Sequence, residues 1–176
     1  MAVDKFVTMN KRIIGAFILA LVGSLIRCNA PSSDSSKEKE EPASVVNDLP
    51  NMTITLLDGS ALNIKGLKGK TVLIFFQPDC DHCQREAAEI RKNLEAFRNS
   101  TLYFITSHPR SEIEKFGNNF GLMGHSNVFF AWTSTENVLN SFGPISAPSI
   151  YLYSSDHKLI KAFNGEVKIE LVLNYI

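Results

Sequence analysis

Cys80-Asp81-His82-Cys83 sets two sulfurs three residues apart. On a helix that spacing brings both onto one face, one turn from each other. Just upstream, Val72 to Phe76 is a continuous apolar run between Gly69-Lys70 and Pro78, the pattern of a buried strand. Downstream, Ala87, Ile90, Leu94 and Phe97 repeat at steps of three, four and three, which predicts an amphipathic helix to about Phe97. The pair therefore falls at a strand-to-helix junction, where free helix amides and the macrodipole favour a thiolate. The third cysteine, Cys28, lies far upstream of these elements. One pair in the folded part excludes a multi-disulfide framework and leaves a redox dithiol, a metal site or a simple bridge.

If the pair is redox-active, Cys80 at the helix start is the attacking thiolate, and Cys83, one turn in and less exposed, resolves the mixed disulfide. The neighbouring residues tune the pair in opposite senses. A cationic His82 would stabilise the thiolate, whereas Asp79 and Asp81 repel it. Asp79 also stands where a helix N-cap is expected. Glu86 falls on the inner flank of the same helix, in a turn where an acidic residue suits the dipole. His108 follows the strand Leu102–Thr106, whose carboxyl end shares an edge with that of the first strand, so it is placed toward the rim of the cysteine site. Trp132 and the Phe129-Phe130 pair read as core.

The chain of 176 residues has room for one domain with a substantial core plus appendages. With 18 basic and 18 acidic residues the net charge is zero, which gives no footprint for a nucleic-acid partner. Lys11-Arg12 precede the 14-residue apolar stretch Ile13–Ile26, the length of a signal-peptide core and short of the ~20 residues of a spanning helix. Leu25-Ile26-Arg27-Cys28 resembles a bacterial lipobox, with Cys28 as the residue to be lipidated, although Arg27 replaces the usual small residue. Cleavage after Ala30 and an uncleaved anchor are the alternatives, and all three export the protein. Residues 29–48 hold five serines, two prolines and the run Lys37-Glu38-Lys39-Glu40-Glu41, and so read as a flexible tether.

The folded part is expected over 49–176. Met52–Leu56 and Ala61–Ile64 flank the turn Asp58-Gly59 as a hairpin. The strand Val72–Phe76, the cysteine helix and the strand Leu102–Thr106 then make a parallel βαβ unit. A helix over Pro109–Phe120, a strand over Val128–Trp132, a short helix over Glu136–Phe142, strands over Ser149–Tyr153 and Lys158–Phe163, and a last helix within Lys168–Ile176 complete the order.

With these pieces in place the chain resembles the thioredoxin-like fold, a three-layer α/β/α sandwich with a mixed central sheet and here an N-terminal β-hairpin. Within that fold it is similar to exported thiol-disulfide oxidoreductases of the TlpA/ResA type. The resemblance rests on Leu56-Leu57-Asp58-Gly59, the run Gly69–Phe76, the C-x-x-C with Glu86 three residues on, and Ala147-Pro148 before an apolar strand. It implies a cis Pro148 opposite the cysteines, and a Glu86 that accepts or returns the proton of Cys83. It also implies reduction of protein disulfides without a cofactor, with electrons supplied by a membrane thiol donor, in the periplasm or cell envelope. The Pro78-Asp79-Cys80 lead-in, which lacks the usual tryptophan, looks like that of envelope thioredoxins of Bacteroidota. Two rival readings use the same cysteines. A DsbA-like oxidase is suggested by His82, but only about 20 residues separate Thr106 from Val128, where that family inserts a helical domain. A Cu(I) chaperone would need a third ligand that the motif does not supply.

Overall fold

The computed structural model describes residues 48–176, so the signal segment, Cys28 and nearly all of the tether lie outside the described residues. The elements follow the order β1 (Thr53–Leu56), β2 (Ala61–Asn63), β3 (Lys70–Phe75), α1 (Asp81–Lys92), β4 (Ser100–Thr106), α2 (Arg110–Asn119), β5 (Val128–Trp132), α3 (Thr135–Phe142), β6 (Ser149–Tyr153), β7 (Leu159–Asn164) and α4 (Ile169–Leu173). The seven strands form one sheet in the order β2-β1-β5-β4-β3-β6-β7. Strands β3, β4 and β5 run parallel, while β1, β2, β6 and β7 join through antiparallel pairings.

Strand β3 reads as an unbroken apolar run because both its faces are covered. Val72, Ile74 and Phe76 point into a core shared with Ala87 and Ile90 of α1, Ile113 and Phe116 of α2, and Ile169 and Val172 of α4. Leu73 and Phe75 point the other way, against Ile54, Ile64 and Phe142, the last from α3. Helices on both faces of a mixed sheet give the expected three layers. Leu73 is fully buried, and Leu73→Ala is expected to cost about 2–5 kcal/mol in urea unfolding, the usual range for a core cavity.

The hairpin forms with the expected turn. Gly59 takes a φ of 88°, a conformation glycine adopts without a Cβ clash, and Asp58 accepts hydrogen bonds from the Ser60 N–H and hydroxyl. The cysteine helix is shorter than the periodicity predicted. At Asn93 the chain tightens, with its N–H bonded to both the Glu89 and Ile90 carbonyls. A 3₁₀ turn over Leu94–Phe97 carries the apolar pattern onward. The last helix is likewise confined to five residues, Ile169–Leu173.

Two of the three aromatic residues expected in the core are not there. Phe130 is buried, but Phe129 and Trp132 are 36% and 43% exposed. Strand alternation turns Phe129 to the face opposite Phe130, where it stacks on Tyr103 at 5.3 Å. Trp132 ends β5, and its indole N–H donates to the Ser107 carbonyl.

Candidate active site

Cys80 caps helix α1. Its sulfur accepts the Cys83 N–H at 3.4 Å, so the sulfur and not the Asp79 carboxylate fills the N-cap role. Asp79 instead lines a groove of about 490 Å³ together with Pro78, Gln84, Glu112 and Phe116. Asp81 opens the helix, where its charge suits the first turn.

The two thiols, both free, differ sharply in surroundings. Cys80 is partly exposed and Cys83 is 2% exposed. Burial pushes the Cys83 thiol up to about 12, with Cys80 and Glu86 adding to the rise. The Gln77 N–H, 3.4 Å from the Cys83 sulfur, offsets part of it. Across the site, Ala147-Pro148 is a cis peptide, and the Cys80 thiol donates toward the Ala147 carbonyl at 3.9 Å. A small cleft of about 130 Å³ beside that carbonyl is lined by Phe76, Gln77, Ser107, Ile145 and Ser146.

Glu86 lies one turn beyond Cys83 on the inner face of α1 and is 4% exposed. Neither of its carboxyl oxygens has a hydrogen-bond partner among the described residues. Burial raises its pKa to about 8; the Val167 amide lowers it somewhat, without reaching hydrogen-bond geometry. A carboxyl poised near neutrality beside a buried thiol can exchange a proton with it.

His82 is turned outward. Its Nδ1 faces both Glu166 and Arg85 Nη2, accepting from the guanidinium when bare and donating to the carboxylate when protonated. Arg85 binds Glu166 through two donors, at 2.8 and 2.7 Å. These hydrogen bonds, Arg85's first, hold the Glu166 carboxyl down at about 2. Sequence reasoning missed both partners. Arg85 was findable, since it lies three residues beyond His82 on one helix face, but Glu166 is 84 residues from His82 and only the fold brings it there.

His108 bonds Glu112 at 2.9 Å and makes no hydrogen bond to either cysteine. That partner borders the groove beside Asp79. Among the described residues no three His, Cys, Asp or Glu side chains are grouped to hold a metal ion.

A model of the AhpC/TSA family matches residues 45–163. The chain belongs to that family. Its curated relatives include the thiol-disulfide oxidoreductase ResA of Bacillus thuringiensis and that of Bacillus cereus. Each is 24% identical over 139 residues, covering 78% of this chain and 80% of the relative. The expected class, a thioredoxin-like thiol-disulfide oxidoreductase, is that of these relatives. Among solved structures, a secreted disulfide oxidoreductase of Mycobacterium tuberculosis superposes with a TM-score of 0.61 at 18% identity, covering 71% of this chain and 93% of that one. Copper-bound ScoI of Arabidopsis thaliana gives 0.57 at 14%, covering 72% and 94%. At these identities the likeness is one of fold.

Proposed function

We propose that the protein is an exported enzyme that reduces disulfides of other proteins through Cys80 and Cys83. The observation that carries this reading is the asymmetry of the dithiol: an accessible sulfur capping a helix, with a buried sulfur and a buried carboxyl in sequence behind it. The Cys80 thiolate attacks a substrate disulfide and forms a mixed disulfide, releasing one substrate thiolate. Cys83, having given up its proton to Glu86, attacks the Cys80 sulfur and releases the second. Two electrons pass to the substrate and the Cys80–Cys83 disulfide remains. Outside the cytoplasm the pair must be recharged, so a membrane thiol donor is part of the proposal. The apolar stretch Ile13–Ile26 supports export, and Cys28 supports a lipid anchor through the tether 29–48. No helix of the described residues is long and apolar enough to cross a membrane.

An oxidase of the DsbA kind is disfavoured by the connection between β4 and β5, which holds the single helix α2 and no inserted domain. A Cu(I) chaperone is disfavoured because His82, the histidine beside the thiols, faces Glu166 and Arg85. Equilibration of the dithiol with glutathione separates the directions. A potential near thioredoxin's, about −270 mV, is expected, and one near about −120 mV would reverse the reading to oxidation. A Cu(I) complex that withstands a competing chelator would favour the chaperone.

A further inference from the structure

The turn after β7 touches the dithiol site at three points. The Gly165 N–H donates to the Pro148 carbonyl at 2.8 Å. The Glu166 carboxylate takes both donors of Arg85 and faces His82 Nδ1. The Val167 backbone comes up to the buried Glu86. Just before the turn, the Asn164 side chain accepts from the Ser146 N–H and the Ser149 hydroxyl on either side of the cis peptide. A segment remote in sequence thus braces the proline loop and the cysteine helix together.

Arg85 brings a cationic group to a helix start that already favours a thiolate, and His82 stands against it. The charge on Arg85 is permanent, and both Cys80 and Asp81 lie within its field. Glu166 meets both groups, whereas Asp79 lies on the groove side of the motif. We propose that Glu166 is a positioning residue of the dithiol: it holds Arg85 and His82 and offsets the guanidinium charge, which limits how far the thiolate of Cys80 is stabilised. The proposal rests on the reading of Cys80 as the attacking thiol.

Removing the carboxylate takes away one negative charge while the guanidinium keeps its own, so the balance of charge beside the helix start moves toward positive. A better stabilised thiolate favours the reduced form and makes the disulfide more oxidising.

The test compares Glu166→Gln with Arg85→Gln. The readouts are iodoacetamide alkylation at pH 6, with the labelled residue located by mass spectrometry, and equilibration with glutathione. Glu166→Gln is expected to speed alkylation about threefold, as suits an exposed charge pair. Its dithiol equilibrium should move about threefold toward the reduced form, or about 14 mV upward at 29.6 mV per tenfold. Arg85→Gln strands the carboxylate and should move both readouts the opposite way, with the double variant returning close to the parent. A turn that was only structural would shift both single variants in the same direction, and that result overturns the proposal, as do unchanged readouts. Label found on Cys83 in the parent protein would instead overturn the assignment of Cys80 beneath it.

Discussion

Cys80→Ser is expected to abolish insulin reduction, and Cys83→Ser to arrest it half-way. Of the two described cysteines, only Cys80 exposes sulfur to a substrate, whereas Cys83 is 2% exposed behind it. The loss of turnover in Cys80→Ser should be on the order of 10³-fold or more, because the other cysteine among the described residues, Cys83, is buried. Cys83→Ser keeps the first attack and lacks the thiolate that ends it. It should therefore accumulate a covalent complex joined through Cys80, visible by mass spectrometry and released by dithiothreitol. Turnover that survives in Cys80→Ser, measured as insulin turbidity, would remove the proposed function.

Glu86→Gln should slow resolution of that complex by about 10²-fold, within the usual range for general acid–base catalysis. A thiol pushed up to about 12 cannot ionise unaided near neutral pH, and in the proposed mechanism the carboxyl at about 8 takes its proton. As pH rises toward 8 the carboxylate form of Glu86 grows and resolution should quicken; the amide removes that inflection. The same residue carries a stability signature. Its carboxyl titrates at about 8 in the folded chain against an ordinary 4.5. Between these values the unfolded chain has lost a proton that the folded chain keeps, so stability is full below pH 4.5 and declines as pH rises to about 8. The decline is on the order of a few kcal/mol. Urea melts at pH 5 and pH 8 should show it in the parent and not in Glu86→Gln. A parent equally stable at both would contradict the buried, unpaired carboxyl.

The central layer was legible in the sequence because its signals are local. Val72–Phe76 announces a strand covered on both faces, and Asp58-Gly59 announces a hairpin turn. The placement of the cysteines and Glu86 on one helix was legible through helical spacing, whereas the cis peptide at Pro148 was expected from the family resemblance. What escaped depended on neighbours distant in the chain. Asp79 stood one position early for a cap that the Cys80 sulfur fills. Phe129 and Trp132 have core composition, yet strand alternation and a strand end leave them at the surface. Glu166 had no signal at all, since an acidic residue beyond a glycine is ordinary until the fold sets it against Arg85. Hydrophobic periodicity reports which face of an element is covered, and it is silent on which remote charge will arrive there.

Trp132 gives the molecule an optical probe of its own. It is the single tryptophan of the chain, 43% exposed, and its indole is tethered to Ser107. Ser107 in turn lines the small cleft beside the Ala147 carbonyl. Emission from the native protein therefore comes from one indole at the border of the dithiol site, already partly in water. A polypeptide laid across that border would take water from the ring and shift its emission to the blue, so substrate engagement can be followed by light without a label.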